Sequence, residues 1–251
     1  MSHVLEVFRN GVALDLMTLA QLHDRELDGQ TIASLKKDRF PGSLAFRLES
    51  TQAEEVLSAL TAILGEIALD AEQSLDAEQS DELAADFASI YLTHGVGASP
   101  CESVWLDEDG LAMQQPMFEV REFYARVGLS APDWRMRPDD HLVHQLQFLA
   151  ELFDHQDPSA LSEAARFLDE HTLRWVPDFA RRVAQRSATP FYAGLGMLTS
   201  YYLDELRDTL ALILSEPRPT AEQIEQRIKQ PVDEVPLPMP GAYVPGSSPS
   251  W

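Results

Sequence analysis

Four side chains with catalytic or ligating chemistry stand within six positions in 137-RPDDHLVHQLQFLAELF-153: Asp139, Asp140, His141 and His144. Carboxylates and imidazoles at this spacing can carry protons or hold a metal ion. If a helix begins at Asp139 with ~100° per residue, Leu142, Leu146, Leu149 and Phe153 form its buried stripe. Asp140 and His144, four apart, then share the outward face. His141 and Asp139 lie on the two borders. Three readings of the cluster follow. The aspartates cap the helix start while His141 bonds a neighbouring segment; the cluster is a polar binding edge beside an apolar groove; or Asp140, His141 and His144 bind a metal in a helical-bundle protein or enzyme. A zinc version of the third would use Asp140, His144 and a distant His155 or His171.

The wider sequence offers catalysis little. A di-iron bundle needs Glu-x-x-His pairs, and there is none. His-Glu-x-x-His, Gly-x-Gly-x-x-Gly, Gly-x-Ser-x-Gly and a Walker-type phosphate loop are absent too. We therefore expect no catalytic residue, no resident metal and no cofactor. The single cysteine, Cys101, excludes an internal disulfide framework.

Composition narrows the partners. With 41 acidic against 19 basic residues the formal charge is −22, which repels nucleic acid and anionic lipid. No apolar run reaches the ~18 residues of a membrane span, and the N-terminus lacks a secretory-signal pattern. A cytoplasmic location, without membrane insertion, is expected. Between Arg47 and Arg121 there is no Lys or Arg, yet there are sixteen acids. That interval is either a solvated acidic face or a docking field for a basic partner.

The elements that must position these residues are helices. Thr51-Gln-Ala-Glu54 and Thr220-Ala-Glu-Gln223 have the capping-box form. Pro116, Pro158, Pro177 and Pro190 each suit a first helical turn, and Gly128 a helix end. No alternating strand pattern occurs. The expected fold is all-α: a helical domain over residues 1–230 and an extended Pro-rich tail over 231–251, which holds six prolines. The connection at 93–116, with Gly95, Gly97 and Gly110, reads as mobile or as a hinge near Pro100 between two helical halves. The tail either folds back over apolar surface or is a solvated appendage.

Three blocks carry a resemblance. In 86-DFASIYLTHGVGASPCESVW-105, a helix end with Tyr91 leads to Pro100, Glu102, Ser103, Val104 and Trp105, then to Gly110, Leu111 and Gln114. In 138-PDDHLVHQLQFLAEL-152, a helix start has Pro138, Asp140 and His141. In 171-HTLRWVPDFARRVAQRSATPFYAGLGMLTSYYLDE-205, His171, Trp175, Pro177 and Phe179 precede a Phe-Tyr helix. Together they resemble the TorD/DmsD/NarJ family of cytoplasmic chaperones that mature molybdenum-containing redox enzymes. The likeness covers about residues 80–212. Cys101, where relatives often carry an aromatic, and the long tail depart from it.

The resemblance implies a TorD-like bundle and a chaperone rather than an enzyme. Its partner would be a molybdoenzyme catalytic subunit, bound through its twin-arginine signal peptide or its apo form until cofactor insertion and export. The implied peptide-binding residues are Asp140, His141, Pro138, Glu102, Trp105 and Tyr91. A homodimer that exchanges helical halves through 93–116 is a further implication.

Overall fold

The structure is a computed structural model that describes residues 3–133 and 135–229. Helices α1 (His3–Asp24), α2 (Gly29–Lys37), α3 (Thr51–Glu66) and α4 (Ala77–Phe87) come first. Then follow α5 (Ser103–Leu106), α6 (Gln115–Arg126), α7 (Leu142–Asp154), α8 (Ala160–Glu170), α9 (Val176–Arg186) and α10 (Pro190–Leu214). There is no strand among the described residues, so the all-α expectation holds. The chain divides into Met1–Arg218 and Pro219–Trp251. The second unit contains α11 (Ala221–Lys229), and the Pro-rich tail at 231–251 lies outside the described residues.

The long helix α10 is the spine of the first unit. Its apolar residues recur at three- and four-residue intervals, and Phe191, Leu195, Leu198, Tyr202, Leu206 and Leu210 are all buried. Around it pack α3, α8 and α9, while α1 lies along α7 and α7 against α8. Gly194 permits the approach of α3: a Cβ there would stand 2.7 Å from Leu60 Cδ2.

Several helix ends are secured from a distance. Asp86 of α4 accepts the backbone N–H groups of Ala188 and Thr189, both at 2.9 Å, where α10 begins. Arg9 of α1 donates to the carbonyl of Phe153 at 3.0 Å, at the end of α7. Asp15 accepts from Ala45 N–H, Phe46 N–H and the Tyr202 hydroxyl. Apart from the Tyr202 hydroxyl, each bond satisfies a backbone group that a helix end or loop would leave orphaned.

The caps correct two expectations: Pro158 lies before Ser159, the N-cap of α8, rather than in its first turn, and the start of α3 shifts by one residue. The N-cap of α3 is Ser50, not Thr51: its hydroxyl accepts from Ala53 N–H and donates to Glu205 of α10. A tertiary carboxylate therefore selected the start. The second box forms as expected. Gln223 Oε1 accepts from Thr220 N–H at 2.8 Å, and Thr220 Oγ1 from Gln223 N–H at 3.3 Å.

The opening cluster needs a larger correction. The stripe of Leu142, Leu146, Leu149 and Phe153 is buried as expected. The helix, however, starts at Leu142 rather than Asp139, with His141 as its N-cap. Asp140 and His144 do not face outward; both are buried, as are Asp139 and His141. A single-helix projection assumes one covered face. Here α1 and α8 both pack on α7, and the 100–103 segment closes over its start.

Candidate functional site

Two extended segments meet at the start of α7. Leu142 N–H donates to Pro100 O at 2.8 Å and Glu102 N–H to Asp140 O at 3.1 Å, pairing Cys101 with His141 as an isolated antiparallel bridge. This short pairing joins the first two motif blocks, which lie far apart in sequence.

Beneath it lies a buried polar network. Asp140 Oδ2 accepts from Ser103 N–H at 2.8 Å and from Ser103 Oγ at 2.5 Å, so this carboxylate caps α5 from another segment. Burial raises the Asp140 carboxyl above the usual range, against the lowering effect of those bonds. Glu102 accepts from Gln145 Nε2 at 2.5 Å and pairs with His171 Nδ1 at 2.8 Å. Gln145 Oε1 accepts from Trp175 Nε1 at 3.2 Å. The third motif block thereby joins the other two. Asp139 points elsewhere: its carboxylate takes Arg121 at 2.8 Å and its carbonyl the Tyr124 hydroxyl at 2.8 Å.

The histidines are committed as well. His141 Nδ1 accepts from Val143 N–H at 3.1 Å, so in the neutral ring the proton sits on Nε2. Burial, with the nearby Arg137 cation second, holds its pKa well below the usual imidazole range. His144 Nδ1 meets Pro138 O at 3.0 Å and must donate to it. The metal reading gains no support from this arrangement. Asp140 turns to Ser103, the Nδ1 atoms of His141 and His144 serve the backbone, and His171 serves Glu102. Among the described residues no three His, Cys, Asp or Glu side chains converge.

What the pairing does build is a cleft of about 510 Å³. The end of α1 forms one wall, with His23 and Asp24; a π-helical turn at Ala88–Leu92 forms another, with Tyr91 and Leu92. The 97–104 segment and Arg137, Pro138 and His141 complete it. Tyr91 is fixed by His23. Thr199 Oγ1 donates to Leu195 O, so it must accept from His23 Nε2–H at 2.8 Å. His23 Nδ1 then accepts the Tyr91 hydroxyl proton at 2.6 Å. Burial presses the His23 pKa down to about 3. At the cleft, Leu92 is 62% and Met136 83% exposed, unusual positions for large apolar side chains.

The expected binding residues thus divide. Tyr91, Pro138 and His141 line the cleft. Asp140 and Glu102 are buried and hold its wall in place. Trp105 stands outside the lining, its indole N–H on Ser99 O at 2.8 Å and the Arg182 guanidinium 5.5 Å from its ring. Sequence reasoning missed His23, Asp24, Leu92, Met136 and Arg137. Nothing in the chain near His23 and Asp24 marks them, because their role depends on where α1 ends against the π-helical turn. The 93–116 connection also divides: residues 98–103 are buried and residues 108–113 exposed.

The fold and cleft define an all-helical protein with a largely apolar ligand-sized cavity and a buried polar network beneath it, in which Asp140 is bonded through Oδ2 while its Oδ1 has no hydrogen-bond partner among the described residues. Residues 49–181 match the nitrate reductase delta subunit family. The chain belongs to that family. It is 33% identical over 144 residues to the chaperone protein TorD of Vibrio cholerae, covering 54% of this chain and 65% of that protein. To the chaperone protein TorD of Actinobacillus succinogenes it is 31% identical over 181 residues, covering 71% of this chain and 88% of the relative. The TorD of Vibrio vulnificus is 32% identical over 120 residues, or 44% of this chain and 56% of that protein. Among the described residues, no helix is long and apolar enough to cross a membrane.

Proposed function

We propose that this protein is a cytoplasmic chaperone that binds the signal peptide of a molybdenum-cofactor enzyme's catalytic subunit. It would hold the apo-subunit through folding and cofactor insertion, and so proofread export. It acts by binding rather than by catalysis. The observation that carries the reading is the cleft itself: about 510 Å³, apolar in the main, rimmed by Leu92 and Met136, and lined by Tyr91, Pro138 and His141. Its volume falls in the ~300–1,000 Å³ range of ligand pockets. The relatives' name, chaperone protein TorD, supports the same class.

The energetics suit a reversible partner. Covering ~400 Å² of apolar surface is worth roughly 10 kcal/mol gross. Ordering a peptide and restricting its motion takes back several kcal/mol. A micromolar complex, about −8 kcal/mol, lies within that balance. Glu102, Asp140 and Trp105 act as positioning residues that hold the walls.

Titration calorimetry with the signal peptide of the client that co-purifies with this chain tests the reading. His141→Asn, whose side-chain oxygen keeps an N-cap acceptor for Val143 N–H, is expected to weaken binding about tenfold while melting within a few degrees of wild type. Unchanged affinity in that variant and in Tyr91→Phe would remove the cleft as the binding site.

A further inference from the structure

Among the described residues lining the cleft, Asp24 is the one carboxylate and Arg137 the one permanent cation. They are paired with each other: Arg137 Nη2 bonds Asp24 Oδ1. The other oxygen, Oδ2, faces a second guanidinium, Arg25 Nε, at 3.6 Å. Both edges of one carboxylate at a cleft wall are thus covered by arginines of the same chain. Neither is locked in place. Arg25 is 86% exposed and Arg137 33%, and Asp24 itself is 23% exposed. Arg137 rides on a turn closed by Asp133, whose carbonyl accepts from Met136 N–H at 3.1 Å and Arg137 N–H at 3.0 Å.

We infer that Asp24 is a guanidinium subsite of this cleft and that Arg137 is its built-in competitor. The inference rests on the reading of the cleft as a peptide site. A carboxylate that already takes guanidinium groups at both edges has the geometry to take one from a ligand. Arginine suits it better than lysine, because the planar fork can meet both oxygens together. The exchange replaces one ion pair with another, so no charge is left bare. Leaving Asp24, Arg137 would swing to solvent with its turn and carry exposed Met136 away from the cleft. An arginine next to an apolar segment is the ligand chemistry that fills both the carboxylate and the apolar walls.

The sign of two substitutions separates this role from a plain structural ion pair. The probe is a fluorescein-labelled synthetic peptide with an Arg-Arg pair before a short Leu/Ala stretch, beside its Lys-Lys counterpart, followed by anisotropy on the full chain. Asp24→Asn is expected to weaken the Arg-Arg peptide about tenfold and to erase its advantage over Lys-Lys. Arg137→Gln is expected to tighten the Arg-Arg peptide about threefold, since the competitor is gone. Asp24→Glu, which keeps the carboxylate, should retain the preference, and melting curves control for folding. If both neutral variants weaken binding alike, the pair only holds the wall and the inference is overturned. It is also overturned, with the cleft reading intact, if wild type binds and Asp24→Asn binds equally well. Failure of every form to bind either peptide overturns the cleft reading and this inference together.

Discussion

Replacing Asp140 with alanine separates a residue that holds the site from one that touches a ligand. The substitution leaves the Ser103 backbone N–H, now 2.8 Å from the carboxylate, without a partner in a buried position. Such an orphaned donor costs about 1–3 kcal/mol. The Ser103 hydroxyl can rotate to another acceptor, and the loss of a buried carboxyl relieves some desolvation. A net destabilisation of about 2 kcal/mol follows, or a melting point lower by roughly 4–8 °C at this chain length. Asp140→Asn keeps an acceptor for Ser103 N–H and is expected within about 1 kcal/mol of wild type.

The pH dependence has a definite sign. Burial raises the Asp140 carboxyl in the folded state. Its stabilising contribution is therefore fully present below the unfolded pKa of ~4 and lost as pH rises through the folded value. Relative to Asp140→Asn, wild type should look more stable in acid than at neutral pH. Calorimetric melting of the three forms across pH, with peptide titration alongside, is the assay. An Ala variant that melts like wild type yet no longer binds peptide would refute the positioning role and place Asp140 against the ligand.

Other expectations follow from the same contacts. The His23 imidazole, pressed down to about 3, contributes stability that is present above its unfolded pKa of ~6.5 and lost as pH falls toward the folded value. The upper limit is about 5 kcal/mol; His23→Gln should flatten the acid limb of a stability–pH curve, and an unaltered limb would exclude His23 as its source. We place any hinge of the 93–116 connection in its exposed part, so amides at 108–113 should exchange quickly and those at 98–103 slowly. Uniform protection across both would count against it. A monomer by light scattering at high concentration would count against an exchanged dimer. Gly194→Ala, whose Cβ would meet Leu60 Cδ2 at 2.7 Å, should cost about 1–3 kcal/mol by chemical denaturation, as overpacking does; a neutral result would mean that the Leu60 side chain yields freely.

Helical class, the second capping box, the apolar stripe of α7 and the family were legible in the residues themselves. Each rests on local rules: capping chemistry spans three positions, a stripe follows from helical periodicity, and motif blocks carry their own order. The same rules misplaced the cap of α3, because Ser50 gained a partner, Glu205, from a helix more than 150 positions away. They also turned Asp140 and His144 outward. A projection of one helix cannot know that α1, α8 and the 100–103 segment will cover its remaining sides.

The candidate site divides along the same line. The sequence by itself marked the candidates: Tyr91, Glu102, Trp105, Pro138, Asp140 and His141 stand in motifs that can be read without coordinates. Only the tertiary structure decided where each of them stands. It buried Asp140 and Glu102 in a bonded network, left Tyr91, Pro138 and His141 on a cleft, and added His23 and Asp24 from a segment that carries no signal and Arg137 from the edge of the second block. The physical reason is that a cleft is made by the meeting of remote surfaces. Burial, and with it protonation and hydrogen-bond commitment, depends on neighbours that local spacing does not encode.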